Sequence, residues 1–200
     1  MPRLIARPAA LAVTIFLLAS CSALNQDRDS PPSGGASSAG NPVVTVARVT
    51  DGDTLTISPE VEGHDTVRVI GIDTPETHAP GEDVEPLGPE ASAFTKRATE
   101  GERVALEVGV EEVDQYGRLL AYATPKSGSL RGKMLEEELL RRGLAQAYPY
   151  PPNTERRDRF ARAQWEARAA GRGIWGLPHN EQCELADRGN GIGEGSTGCK

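Results

Sequence analysis

The chain has 200 residues, of which 38% are hydrophobic and 26% are charged, and its formal net charge is −7. This ordinary globular composition has room for one folded domain. The excess of acidic residues argues against a protein that binds polyanions indiscriminately, and the chain contains no visible internal repeat.

Residues 1–21 have the pattern of an export signal. A basic start precedes an apolar run from Leu11 to Leu18, which is too short to span a membrane as a mature helix, and Leu-Ala-Ser-Cys then ends at Cys21. These four residues resemble the bacterial lipobox, in which the cysteine receives a diacylglyceryl group. We therefore predict lipidation of Cys21 and an exported protein, held by lipid on the extracytoplasmic face of the cell membrane. The alternative is a plain secretory peptide with a chance cysteine.

Residues 22–42 are rich in Ser, Gly, Pro and Ala, a composition that predicts a flexible linker. The folded domain is predicted to follow over residues 43–180. Its first strand is the β-branched run Val43 to Val49, and its second is Thr54 to Ile57. A third strand carries Arg68 and ends at the corner made by Pro75.

A loop over residues 77–87 leads to Gly88 and Pro89, which are predicted to open a helix. The fourth and fifth strands are Val104 to Val108 and Leu119 to Ala123. Two more helices follow, one that contains Met134 and stops at Gly143 and one from Thr154 to Ala170. The order of elements predicts an α+β fold, a five-stranded OB-type β-barrel with one inserted helix and two C-terminal helices.

Residues 181–200 form a glycine-rich tail with little apolar content. If Cys21 carries lipid, Cys183 and Cys199 remain as an even pair in an oxidising compartment, which suggests a disulfide between them. The alternative is two free thiols.

Charged residues cluster at the turns of the predicted barrel. Asp51 and Asp53 end the first strand, and Asp73 and Glu76 follow the third. Strands one and three of a small barrel can lie close enough to share a site, so we expect these carboxylates to face each other. Calcium prefers oxygen ligands and usually keeps waters, which makes Asp53 and Asp73 candidate ligands of an open site.

The arginines near these turns suit a phosphate group. The guanidinium groups of Arg68 and Arg118 match phosphate oxygens and can neutralise charge that grows during in-line attack. A remaining carboxylate can accept a proton from water. Simpler interpretations exist, because Asp53 can belong to a plain hairpin turn and Arg68 to a surface ion pair. A group of arginines in the last helix is either a solvated face or a nucleic-acid-binding stripe, and comprises Arg156, Arg157, Arg159, Arg162 and Arg168.

Taken in order, these motifs resemble the thermonuclease, or staphylococcal nuclease, family over about residues 43–175. The matching motifs are Asp51-Gly52-Asp53-Thr54, Arg68, Asp73-Thr74-Pro75-Glu76, Gly88-Pro89-Glu90-Ala91-Ser92-Ala93-Phe94-Thr95-Lys96, Asp114 with Tyr116-Gly117-Arg118, and Gly132-Lys133-Met134.

The resemblance implies a monomeric, calcium-dependent nuclease that hydrolyses DNA and RNA and leaves 3'-phosphate and 5'-hydroxyl ends. By that similarity, the metal ligands are Asp53, Asp73 and the carbonyl oxygen of Thr74. Asp51 would support the metal site from behind, and Glu76 would act as general base on the attacking water.

The resemblance also assigns the substrate contacts. Arg68 and Arg118 would hold the phosphate and stabilise the transition state, whereas the aromatic contacts to the nucleotide would fall on Tyr116, Tyr148 and Tyr150. An alternative function is a surface lipoprotein that binds nucleic acid without cutting it.

Two segments depart from the family pattern. The loop over residues 77–87 is acidic at Glu82, Asp83 and Glu85, whereas it is basic in the best known member. The segment Tyr148-Pro149-Tyr150-Pro151-Pro152 is more rigid because its prolines fix the backbone. We expect the family reaction with weaker and more salt-sensitive substrate binding.

Overall fold

The computed structural model describes residues 41–77 and 84–186. The predicted signal peptide, the lipidation of Cys21 and all but the end of the predicted linker lie outside the described residues. Cys183 is one half of a disulfide, but Cys199 also lies outside them, so the pairing of these two stays a prediction. In the described part of the chain, no helix is long and apolar enough to cross a membrane.

A closed barrel forms the centre of the fold. The strands are β1 (Val43–Asp51), β2 (Thr54–Val61), β3 (His64–Val69), β4 (Ile72–Asp73), β5 (Arg103–Val113), β6 (Leu119–Pro125) and β7 (Gln146–Ala147). The barrel order is β1-β2-β3-β6-β5, and β4 and β7 form a separate two-stranded pair. The predicted five-stranded barrel is confirmed. Its closing pair, β3 and β6, is parallel, whereas the other barrel pairs are antiparallel.

Helices pack on the barrel and continue beyond it. They are α1 (Gly88–Thr99), α2 (Leu135–Arg142), α3 (Arg157–Ala169) and α4 (His179–Ala186), with a 3₁₀ turn over Gly173–Gly176. Pro89 lies in the first turn of α1 and Gly143 ends α2 with a φ of 67°, as the sequence predicts. The sequence does not predict α4, whose Leu185 is buried among Ala167, Ile174 and Trp175.

The short pair of β4 and β7 links the barrel to the segment before α3. Ile72 pairs with Ala147, and the Tyr148 N–H donates to the Gly71 carbonyl over 3.0 Å. Gly71 has a φ of +83°, and a Cβ built there would lie 2.5 Å from the Phe160 ring. Only glycine fits this crossing, which holds Tyr148 beside the end of β3.

One carboxyl group lies inside the core. Glu136 of α2 is fully buried, and its Oε1 accepts a 2.7 Å hydrogen bond from the Ala123 N–H. Its Oε2 has no hydrogen-bond partner among the described residues. Burial raises the pKa of Glu136 to about 8, although the Ala123 hydrogen bond and the charge of Arg156 act in the opposite direction.

This carboxyl group should make the protein less stable as the pH rises. The folded state keeps the Glu136 proton up to about pH 8, whereas the unfolded chain releases it near its ordinary pKa of 4.5. The stabilising contribution is therefore complete below pH 4.5 and is lost progressively as the pH rises from 4.5 to about 8. Glutamine cannot titrate, so Glu136→Gln should gain stability relative to wild type as the pH rises.

Urea unfolding of both proteins at several pH values in this range measures the difference. The control is Glu112→Gln, which changes an exposed glutamate on β5. A difference between wild type and Glu136→Gln that does not change with pH would contradict the assignment.

Candidate active site

A cleft of about 270 Å³ opens at one end of the barrel. It contains all three predicted catalytic residues and all three predicted nucleotide contacts, namely Arg68, Glu76, Arg118, Tyr116, Tyr148 and Tyr150. The elements that supply them are β3, the chain after β4, the β5–β6 turn and the segment after β7. The structure therefore brings together side chains that are widely separated in the sequence.

Arg68 extends from β3 between two carboxylates. One terminal nitrogen forms an ion pair with Asp53 Oδ1, and the other donates to Asp73 Oδ1 over 3.1 Å. Only 18% of its side chain is exposed. The predicted phosphate-binding arginine therefore contacts two of the predicted metal ligands directly.

Asp53 is the most buried carboxylate of the site, with 1% of its surface exposed. Its Oδ2 accepts hydrogen bonds from the Thr74 N–H at 3.1 Å and from the Thr74 hydroxyl at 3.0 Å. Burial raises the pKa of Asp53, the charge of Arg68 opposes this, and the charge of Asp73 adds to it. These contacts fix Asp53 across the corner that follows β4.

The turn before Asp53 is fixed by α1. The Ser92 hydroxyl donates to Asp51 Oδ1 over 2.9 Å, and the Thr95 hydroxyl donates to the Gly52 carbonyl over 2.7 Å. A Cβ at Gly52 would lie 2.7 Å from Thr74 Oγ1, so the turn packs too tightly for any other residue. Ser92 and Thr95 belong to a motif quoted above, but the sequence alone does not indicate these contacts.

The side chains of Glu76 and Asp51 are hydrogen-bonded to each other. Burial raises the pKa of Glu76 to about 8, and the hydrogen bond to Asp51 and the charge of that residue act in the same direction. Burial would also raise the pKa of Asp51, but hydrogen bonds from Glu76, Gly52 and Ser92 outweigh it and lower that pKa. Protonated Glu76 therefore donates a hydrogen bond to the Asp51 carboxylate, and Asp51 is a direct partner of the predicted general base.

Arg118 is held by Asp114. Its Nε donates to Asp114 Oδ2 over 2.7 Å, and its backbone N–H donates to Asp114 Oδ1 over 3.0 Å. Its guanidinium carbon lies 5.4 Å from the centre of the Tyr116 ring. The sequence assigns no role to Asp114, although an Asp that accepts from backbone N–H groups two and four residues later is a common turn.

Glu85 has a structural role in addition to its negative charge. Its Oε2 accepts a 2.6 Å hydrogen bond from the Glu76 N–H, and its own N–H donates to the Glu76 carbonyl over 3.1 Å. This pair of bonds fixes the backbone of the predicted general base. Glu85 thus supports the site although it adds a negative charge beside it.

The predicted calcium ligands fit the metal in the chemistry of their donors. Asp53 and Asp73 already share one positive charge, that of Arg68, and oxygen donors of this kind suit a hard cation. Within residues 41–77 and 84–186, no three His, Cys, Asp or Glu side chains converge as a metal site. A metal held here would therefore depend on a backbone carbonyl and water in addition to the two carboxylates.

The sequence is similar to that of known proteins. The family model described as "Staphylococcal nuclease homologue" matches residues 66–176. The chain belongs to the staphylococcal nuclease family. This membership confirms the prediction of a phosphodiester-cleaving endonuclease.

Similar members of the family include bacterial nucleases. The chain is 41% identical over 143 residues to "Thermonuclease" of Staphylococcus hyicus, which covers 72% of this chain and 81% of that protein. It is 44% identical over 131 residues to "Thermonuclease" of Staphylococcus intermedius, or 65% of this chain and 74% of that protein. It is also 40% identical over 134 residues to "Endonuclease YncB" of Bacillus subtilis, or 66% of this chain and 61% of that protein.

Proposed function

We propose that the protein is a calcium-dependent, exported nuclease that hydrolyses phosphodiester bonds of DNA and RNA. The observation that carries this proposal is that one cleft holds two arginines, the carboxyl group of Glu76 and three tyrosines together. The arginines suit a phosphate, the carboxyl group suits proton transfer from water, and the tyrosines suit bases.

Arg68 and Arg118 bind the phosphate from two sides of the cleft. Their partners, Asp53 for Arg68 and Asp114 for Arg118, hold the guanidinium groups in place before the substrate arrives. Charge that is already oriented stabilises the phosphate oxygens in the transition state without the cost of reorganisation.

Glu76 accepts the proton of the attacking water. Its backbone is fixed by Glu85 and its side chain contacts Asp51, so its carboxyl group has a defined position at the edge of the cleft. The base must be deprotonated to act, and a cation bound nearby favours that form.

Calcium would be held by Asp53, Asp73 and the carbonyl oxygen of Thr74. When bound, the ion supplies positive charge that neutralises the phosphate and favours nearby anions. In the protein itself, hydrogen bonds from Thr74 fix the position of Asp53, and an ion pair with Arg68 balances its negative charge. Asp51 does not bind the metal and supports the site through its hydrogen bond with Glu76.

The three tyrosines contact the nucleotide. Tyr116 is 74% exposed beside Arg118, and Tyr148 and Tyr150 line the same cleft. Aromatic rings stack on any base, so the same cleft suits both DNA and RNA. We propose that the protein acts as a monomer. The expected products carry a 3'-phosphate and a 5'-hydroxyl.

The purified protein should degrade plasmid DNA and RNA when calcium is present and lose this activity in chelator. Gel electrophoresis of the substrates provides the measurement. Binding without cleavage in calcium would instead support a nucleic-acid-binding lipoprotein that does not cut.

Lipidation of Cys21 should anchor the protein to membranes. Cys21→Ala should release it into the soluble fraction, because lipid chains rather than a spanning helix supply the anchor. Immunoblots of membrane and soluble fractions compare wild type with this variant. A wild-type protein found wholly in the soluble fraction would show that the lipobox assignment is wrong.

A further inference from the structure

A second cavity, of about 160 Å³, lies next to the catalytic cleft. Gly71 lines both cavities, and Pro149 lies between Tyr148 and Tyr150, which line the cleft. The floor of the second cavity is the ring of Phe160, and α3 forms one wall with Arg157, Ala161 and Gln164. The cavity is thus a mostly apolar extension of the site, with a cation at its rim.

The same wall continues as one face of α3. Arg157, Ala161, Trp165 and Arg168 are spaced by four, four and three residues, so they lie along one side of the helix. Trp165 is 67% exposed, unlike Trp175, which is 8% exposed. We call these four residues the α3 face. It presents an exposed aromatic ring between two arginines.

The arginines of the α3 face are available to a ligand. Arg157 is 65% exposed, and its ion pair with Asp158 is on the surface, where such pairs contribute little. Arg168 is also exposed, and its guanidinium carbon lies 5.6 Å from the centre of the Trp175 ring. The protein carries net negative charge, so this local arrangement rather than general attraction would select the ligand.

We propose that the second cavity and the α3 face form a subsite for single-stranded nucleic acid that extends from the catalytic cleft. One base enters the cavity above Phe160, a further base stacks on Trp165, and Arg157 and Arg168 bind the phosphates between and beyond them. This subsite rests on the proposed nuclease function and extends the substrate contacts beyond the nucleotide that the cleft holds. In a duplex the bases are paired and stacked, so they cannot enter a cavity or stack on a side chain.

The subsite offsets the effect of the acidic loop. Negative charge around the cleft weakens attraction for phosphate there, whereas base stacking depends little on charge. Binding should therefore rely on several successive nucleotides rather than on the cleft alone. The consequence is a dependence on substrate length.

The double variant Arg157→Ala/Trp165→Ala tests the subsite. Both residues are exposed, so the variant should fold, which circular dichroism checks. Its KM for a long single-stranded oligonucleotide should rise about tenfold or more, because a base that stacks on an aromatic ring contributes that much affinity. Its kcat/KM for an aryl phosphodiester of a single nucleotide, whose one base occupies the cleft, should stay at the wild-type value. Arg162→Ala is the control, because it removes one positive charge from α3 outside this face.

Three results would overturn the proposal. They are an unchanged KM for the oligonucleotide, an equal rise in Arg162→Ala, and an equal loss on the aryl phosphodiester of a single nucleotide. If wild type cleaves neither substrate, the proposed function fails, and the subsite is then judged from binding alone.

Tryptophan fluorescence gives that binding measurement. The chain has two tryptophans, and a thymine homopolymer should quench the emission of the exposed Trp165 in the Glu76→Gln background. Trp165→Ala in the same background should lose this quenching. If vesicles of anionic lipid change the emission of Trp165 and the homopolymer does not, the subsite proposal is wrong, and the α3 face binds a membrane surface instead.

Discussion

Replacing Glu76 by glutamine should lower kcat on nucleic acid by about 10² or more and leave the fold intact. The fold should persist because a glutamine amide can donate to Asp51 as the protonated Glu76 does. The amide cannot accept a proton from water, so the chemical step loses its base. Turnover and thermal melting of the variant are compared with wild type.

The matched control for this change is Glu90→Gln. Glu90 is exposed in the first turn of α1, outside the cleft, and the substitution makes the same change of a carboxyl group into an amide. Wild-type turnover in Glu76→Gln, or an equal loss in Glu90→Gln, would show that Glu76 is not the general base.

Asp53→Asn and Asp73→Asn should both abolish activity but differ sharply in stability. Asp53 lies between two donors, Thr74 and Arg68, so either orientation of an asparagine amide would place its NH₂ group against a donor. Because this site is buried, we expect Asp53→Asn to cost about 3–5 kcal/mol in the free energy of unfolding. At the more exposed Asp73, an amide oxygen can still accept from Arg68, and the cost should be about 1 kcal/mol or less.

Thermal melts in chelator and in calcium separate the two effects. Calcium should raise the Tm of wild type and hardly change that of either variant, because a ligand stabilises only the state that binds it. If Asp73→Asn melts far below wild type in chelator, Asp73 is chiefly a structural ion-pair residue. If calcium raises the Tm of both variants as much as that of wild type, the metal binds elsewhere.

The barrel could be predicted from the sequence because its signals are local. β-branched runs such as Val43 to Val49, turn dipeptides such as Asp51-Gly52, and the Gly88-Pro89 start of α1 each specify backbone conformation over a few residues. The β4–β7 pair and α4 have no such signal. Two-residue strands depend on contacts made elsewhere, and α4 is stabilised by the burial of Leu185 rather than by an amphipathic pattern.

In the candidate site too, some features could be predicted from the sequence and others could not. The order of the motifs was sufficient to predict which residues line the cleft, among them Arg68, Glu76 and Arg118. Their partners could not be predicted, because contacts such as Arg118 with Asp114 or Glu76 with Glu85 depend on how loops pack. The cavity lined by Phe160 could not be predicted either, because it is space left where β6, β7 and α3 meet.

The parallel pairing of β3 with β6 has a consequence for how activity arises. Arg68 lies opposite Leu120 in this pair, so the two arginines of the cleft come together only when this side of the barrel closes. Contacts between segments so distant in the sequence form late in folding, after local hairpins such as β1–β2. A chain with an open barrel therefore has every catalytic residue and no catalytic cleft. Recovery of cleavage during refolding would then time the closure of the barrel, whereas recovery of the circular dichroism signal would report the earlier local structure.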